Sequence, residues 1–102
     1  MTNEAKEMLK QVDKIATPKE TWTPLYSVKD LKVGYITEFK CQNDLIALRT
    51  FSDDVKNDKS PLSKHPEDYE LWSIGKMCLE TGQIISEIRY LGRALDYIVG
   101  EN

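Results

Sequence analysis

The sequence has 102 residues, of which 40% are hydrophobic and 30% are charged. This length predicts one domain, residues 1–102, with a single modest core, and the composition lies well outside the disordered range. The net charge of −3 argues against a protein that coats nucleic acid, because phosphate binding relies on a surplus of Lys and Arg. The charge is uneven, since residues 22–65 carry seven basic and six acidic side chains whereas residues 66–102 carry three and seven.

Membrane spans and secretion signals are not indicated. No apolar run approaches the roughly 18 residues that cross a bilayer, and the polar start of the chain does not fit a secretory signal. Cys41 and Cys78 are too few for a disulfide framework and do not form a metal-type pair. We therefore expect reduced thiols and a location in the cytoplasm of the cell that makes the protein.

The first predicted element is a helix over residues 3–16, with Asn3 as its cap and Pro18 as its stop. Its apolar residues follow 3-4-3 spacing, which predicts one buried face. We expect residues 1–17 to form a helical N-terminal extension. The stripe consists of Ala5, Met8, Val12 and Ile15.

Two strands and a second helix follow. Leu25–Val28 and Val33–Phe39 are rich in aromatic and β-branched residues, which favours strands, with a bend over residues 29–32. Asn43 then caps a helix that runs to about Lys56, and residues 57–66 form a polar loop.

The last third predicts a hairpin and a helix. Tyr69–Leu79 reads as a strand, and Gly82 supplies the positive φ of a turn before a return strand over residues 83–85. Ser86 is predicted to cap a helix to about Val99, because its apolar residues again follow 3-4-3 spacing.

The predicted fold class is therefore α+β: a small antiparallel sheet with helices packed on it, in the order α-β-β-α-β-β-α. The two terminal helices pack on the second sheet face, or they pair with another copy and form a homo-oligomer. The residues predicted for such self-association are Met8, Val12, Ile15, Leu91, Leu95 and Ile98.

Two groups of side chains are candidate sites. His65, Glu67 and Asp68 offer an imidazole and two carboxylates, but Pro66 followed by acids is typical of the start of a helical turn, so no metal or cofactor is predicted. Aromatic residues near cations on the middle strands fill the core, or they form a stacking surface for single-stranded DNA. The candidate nucleic-acid contacts are Trp22, Tyr26, Lys29, Lys32, Tyr35, Lys40 and Arg49. No catalytic constellation is present, which predicts a protein that binds and is not an enzyme.

Several short motifs occur in order between Asn43 and Ile84: Ala-x-Arg-x-Phe, Pro-Glu-Asp-Tyr-Glu-Leu, Ile-Gly and Thr-Gly. With these motifs the chain resembles the small nonstructural protein of gokushovirus-type microviruses. Two features depart from that pattern, since Lys76–Leu79 replaces an acidic segment and the helix over residues 3–16 is an extension. The motif residues are Arg49, Phe51, His65, Pro66, Glu67, Asp68, Tyr69, Leu71, Trp72, Gly75 and Gly82.

The resemblance implies a phage-encoded protein of the bacterial host cytoplasm, comparable to the microvirus C protein. Such a protein is expected to influence the switch from duplex DNA replication to single-strand synthesis and packaging by binding phage or host replication proteins. Direct binding of single-stranded DNA and a role as an internal scaffold or minor virion component remain the alternatives.

Overall fold

The computed structural model describes residues 20–99, so the helix predicted over residues 3–16 lies outside the described residues. Met8, Val12 and Ile15 lie outside them too. No helix in the described range is both long enough and apolar enough to span a bilayer. In chain order the elements are β1 (Trp22–Asp30), β2 (Gly34–Lys40), α1 (Asp44–Lys56), α2 (Pro61–Lys64), a 3-10 helix (Pro66–Asp68), β3 (Tyr69–Cys78), β4 (Ile84–Arg93) and α3 (Ala94–Val99).

The strands form one antiparallel sheet in the order β2-β1-β3-β4. β1 is longer than the predicted Leu25–Val28 at both ends, so the predicted bend over residues 29–32 is replaced by a shorter turn after Asp30. In this turn the Val33 N–H donates to the Asp30 carbonyl at 3.0 Å. The Asp30 carboxylate also accepts the Lys32 N–H at 2.9 Å. The small antiparallel sheet with helices on it confirms the α+β class.

The core lies between one face of the sheet and α1. Tyr26, Val28 and Leu71 contribute from the strands, and they meet a set of buried residues from the helices. Because burial of apolar area is the main favourable term in folding, this layer fixes the position of α1 over β1 and β3. The helical members of the core are Ala47, Phe51, Val55, Leu62 and Ala94.

The start of α1 is confirmed in detail. The Asn43 side chain accepts the Ile46 N–H at 2.9 Å, and Asp44 occupies the first turn, where a carboxylate is favoured by the helix dipole. The predicted loop that follows is partly wrong. Ser60 caps the short helix α2 by accepting the Leu62 N–H at 3.2 Å, with Pro61 at the first helical position.

The helix predicted from Ser86 is wrong over most of its length. Residues Ile84–Arg93 form β4, which pairs with β3, and only Ala94–Val99 are helical. Ser86 lies within the strand beside Gly75 and caps nothing. The stretch is rich in isoleucine and also alternates with period two, so pairing with β3 could override its helical spacing. The turn before β4 is confirmed, because Gly82 has a φ of 77°.

Candidate functional site

One face of the sheet carries no helix among the described elements, and we call it the open face. Side chains alternate along a strand, so that Tyr26 and Val28 of β1 face the core while Ser27 and Lys29 face the other way. Lys29 contacts the rings of Tyr35 and Trp72, which therefore share its face. The open face thus presents side chains from several strands.

Three aromatic side chains cross the open face, and we call them the aromatic row: Tyr35, Trp72 and Tyr90. The ring centroids of Tyr35 and Trp72 are 6.1 Å apart and those of Trp72 and Tyr90 are 5.4 Å apart, both with edge-to-face geometry. The Lys29 Nζ lies 5.2 Å from the centroids of both the Tyr35 and the Trp72 rings. Tyr35 is 47% exposed and Tyr90 is 49% exposed, so two of the rings are open to a ligand.

The pairing register of the strands brings the three side chains of the aromatic row together. Trp72 lies opposite Tyr90 in the β3–β4 pair, and Tyr35 lies opposite Lys29 in the β1–β2 pair. The register of β2 shifts between Tyr35 and Thr37, and a bulge of this kind changes the face that the side chain of Tyr35 takes. Trp72 is oriented further by its indole N–H, which donates to the Glu70 carboxylate at 3.0 Å. Burial, with a smaller contribution from the Glu70 charge, raises the pKa of Tyr90.

The open face is only weakly basic. Lys40 lies opposite Leu25, which alternates with Tyr26, so Lys40 takes the open face together with Lys29. Glu38 lies opposite Ser27 on the same face and offsets part of that charge. The surface therefore favours ring stacking over dense phosphate contacts.

The predicted nucleic-acid contacts do not all belong to this surface. Lys29, Tyr35 and Lys40 come together on the open face. Tyr26 does not, because it is 1% exposed and packs against Phe39 with its ring centroid 5.7 Å away.

The other predicted contacts are dispersed. Trp22 lies at the far end of β1, where the Lys76 Nζ sits 5.1 Å from its ring centroid. Lys32 is in the first turn and pairs with Asp68 at 3.5 Å, and Arg49 is exposed on α1.

Sequence reasoning missed Tyr90, and it weighed Trp72 among the aromatic residues near cations without including it in the candidate contacts. The available signal was the alternation in Ser86, Ile88 and Tyr90, which marks one face of a strand. That signal was masked by the competing helical spacing of the same segment.

A polar cluster docks the start of α1 on the core-facing side of the sheet, and we call it the Tyr26–Asp44–Arg89 cluster. The Tyr26 hydroxyl donates to Asp44 Oδ1 at 2.8 Å, and Arg89 Nη1 lies 3.2 Å from Asp44 Oδ2. The hydrogen bond from Arg89, followed by that from Tyr26, lowers the pKa of Asp44. Burial and the hydrogen bond to Asp44 raise the pKa of Tyr26 well above its ordinary value. The cluster borders an open cleft of about 640 Å³ that Glu87 and Lys76 also line.

The His65 region forms local structure. Pro66–Asp68 is a 3-10 helix, and the nitrogen and oxygen atoms of His65, Glu67 and Asp68 lie within 4.8 Å of one another. His65 and Glu67 are exposed, and Asp68 already pairs with Lys32. A metal ion would therefore meet two exposed groups and a carboxylate that already contacts Lys32.

The remaining motif residues are mostly structural. Phe51 and Leu71 belong to the core, and Tyr69 packs against it. Gly75 has a φ of 144°, and a Cβ there would lie 2.0 Å from the Ile85 carbonyl oxygen. Among the residues predicted for self-association, Leu91 lies in β4 and not in a helix, Leu95 is half-buried, and Ile98 packs against the core.

The fold and the open face define a small α+β protein whose four-stranded antiparallel sheet carries helices on one face and an aromatic row on the other. The family described as Phage ORF5 protein matches residues 23–97, which is most of the chain. The chain belongs to this phage protein family. Comparison with curated proteins and with solved structures gave no match.

Proposed function

We propose that this phage protein is a non-enzymatic accessory factor that binds single-stranded DNA across the open face of its sheet. The observation that supports the proposal is the aromatic row with Lys29 against two of its rings. Single-stranded nucleic acid is held by stacking faces flanked by cations, and stacking tolerates any base sequence. Direct DNA binding was the alternative to the protein-binding role that the sequence favoured, and the aromatic row is the reason to prefer it.

The biological setting is part of the proposal. The short motifs between Asn43 and Ile84 resemble the nonstructural protein of gokushovirus-type microviruses, and this resemblance supports a site of action in the cytoplasm of an infected bacterium. A protein that binds single strands there would act when phage DNA synthesis switches from duplex to single-strand product. The DNA-binding and regulatory roles are then one activity.

The geometry gives the proposal a quantitative form. Each base that stacks on an aromatic side chain contributes about 1–3 kcal/mol, and Tyr35 and Tyr90 offer exposed rings for this contact. Among the described strand residues, Lys29, Lys40 and Arg93 add positive charge on this face, and Arg93 already pairs with Asp96 at 2.8 Å, which leaves two cations for phosphate. Two phosphate contacts predict a slope of log affinity against log salt of roughly −1.4, at −0.7 per contact. Binding should therefore be driven by stacking and weakened only modestly by salt.

The test is fluorescence anisotropy with a labelled oligothymidine and the full chain at about 50 mM salt, where electrostatic attraction is strong. We expect Tyr35→Ala and Tyr90→Ala each to weaken binding by about 5- to 150-fold, which corresponds to one lost stacking contact. Lys29→Ala should make the salt slope shallower by about 0.7. Circular dichroism of each variant separates loss of binding from loss of fold.

Trp22→Ala is the matched control. Trp22 also has a cation against its ring, but it lies away from the aromatic row. Its removal should leave the affinity unchanged. Absence of binding by the unaltered chain, or equal loss in Trp22→Ala and Tyr35→Ala, would contradict the proposal.

A second candidate is a regulator that binds a basic phage or host replication protein. It is favoured by the exposed acidic side chains of the last third, such as Glu67 and Glu87. A pull-down from infected cells with and without nuclease separates the two, because a protein partner is recovered after nuclease and a DNA-mediated one is not. Mass spectrometry of purified particles tests the further alternative of a scaffold or virion component.

A further inference from the structure

β4 lies at one edge of the sheet and has no strand beside its outer side among the described residues. It is ten residues long and contains neither proline nor lysine, the residues that commonly protect an edge from pairing. The opposite edge, β2, is seven residues long and ends in Lys40. β4 is therefore the longer edge, and its protection consists of the charges of Glu87, Arg89 and Arg93 in place of proline or lysine.

The side chains of β4 are also unusually apolar for an exposed edge. Ile84 is 59% exposed and Ile88 is 51% exposed, and Tyr90 is about half exposed. Large apolar side chains on an unpaired edge mark a site of association. The partner that fits must supply both a strand and an apolar surface.

The charges of β4 identify that partner. Glu87 and Arg89 flank Ile88 and line the same cleft, so they lie on the same side of the strand. In an antiparallel pair of two identical strands, a two-fold axis at Ile88 places residue 87 of each copy opposite residue 89 of the other. Each Glu87 then meets an Arg89, and Ile88 meets Ile88. Arg89 directs Nη1 and Nη2 to Asp44, and its five N–H donors allow it to bind a second carboxylate.

We propose that β4 is a homodimer interface, in which two copies pair antiparallel about Ile88 and form one continuous eight-stranded sheet. The axis of such a pair is perpendicular to the sheet, so both open faces lie on the same side. The register of β4 against β3 shifts beside Leu91 and again opposite Ile74, between Ser86 and Arg89, so the segment available for pairing is short and centred on Ile88. The interface is separate from the terminal-helix pairing that the sequence predicted. The proposal of a β4 dimer does not depend on the proposal of DNA binding.

The register is tested by disulfide trapping, because a residue on the two-fold axis faces its own copy. Ile88→Cys in a Cys41→Ser background should give a covalent dimer under mild oxidation, since directly opposite strand residues lie within disulfide reach. Ile36→Cys is the matched control, because Ile36 is 42% exposed on the opposite edge strand. It should give no covalent dimer under the same conditions.

The energetics are tested by sedimentation of the full chain from micromolar to about 100 µM. Glu87→Lys turns two opposite-charge pairs into two like-charge pairs and should weaken the dimer by at least about tenfold. Glu38→Lys makes the same charge change on β2 and should leave the dimer unaffected. A monomer at all concentrations overturns the proposal. So does a dimer in which Ile88→Cys fails to cross-link or Glu87→Lys behaves like Glu38→Lys.

Discussion

Replacing Asp44 by alanine should destabilise the fold, because the Tyr26–Asp44–Arg89 cluster connects β1, α1 and β4. The Tyr26 side chain is 1% exposed, and its hydroxyl would lose its acceptor, which costs about 1–3 kcal/mol. The Asp44 and Arg89 side chains are 40% and 49% exposed, so solvent screening limits the ion pair to about 0.5 kcal/mol. Loss of the first-turn carboxylate adds about 0.3–1 kcal/mol. Together these give a loss of about 2–4 kcal/mol for Asp44→Ala.

The assay is urea unfolding at neutral pH, followed by tryptophan fluorescence. Asp44→Asn is the matched variant, because it keeps an oxygen acceptor for the Tyr26 hydroxyl and removes only the charge. We expect it to lose about 1 kcal/mol, the sum of the screened ion pair and the dipole contribution. In a double-mutant cycle with Tyr26→Phe, a coupling of about 1–2 kcal/mol between Tyr26 and Asp44 is expected.

The outcome that contradicts this reasoning is specific. If Asp44→Ala costs less than about 0.5 kcal/mol, the Tyr26 hydroxyl is satisfied elsewhere and the cluster does not hold α1 on the sheet. If Asp44→Asn lowers the free energy of unfolding as much as Asp44→Ala does, the stabilisation comes from the charge of Asp44 and not from its oxygen as acceptor for the Tyr26 hydroxyl.

Three further predictions concern pH, backbone and core. The pKa of the Asp44 carboxyl is lowered in the folded state, so the ionised carboxylate contributes to stability above its unfolded pKa of about 4. That contribution is lost as the pH falls through the folded pKa. Arg89→Gln should reduce this loss of stability in acid, measured by unfolding curves from pH 6 to pH 2. Gly75→Ala places a Cβ against the Ile85 carbonyl and should lower the free energy of unfolding by more than about 3 kcal/mol in the same urea assay. Gly82→Ala is the control, because there is open space around Gly82, and it should lower that free energy by only about 1–2 kcal/mol of backbone strain. Phe51→Ala should lose about 3–5 kcal/mol because Phe51 is fully packed in the core, and an unchanged urea midpoint would contradict that placement.

Local chemistry accounts for what the sequence predicted correctly. The cap at Asn43 and the acid at position 44 act within one turn, so the start of α1 follows from neighbouring residues alone. Gly82 similarly marks the β3–β4 turn, because its positive φ is a property of the single residue. These features need no knowledge of distant segments.

The open face could not be predicted in the same way. The aromatic row joins Tyr35, Trp72 and Tyr90 from three strands, and Tyr26 looked equally suitable in sequence although it points into the core. Which face a side chain takes depends on register, and the shift in β2 alters that alternation locally.

The sequence by itself determined α1, the hairpin turn and the α+β class, because caps, turns and short periodic segments are set by near neighbours. The tertiary structure decided whether Ile84–Arg93 is a strand or a helix, since that segment carries both periodicities. Its pairing with β3 satisfies the backbone hydrogen bonds of the strand, which outweighs a weak helical preference. The same pairing creates the open face and the edge on which the proposed functions depend.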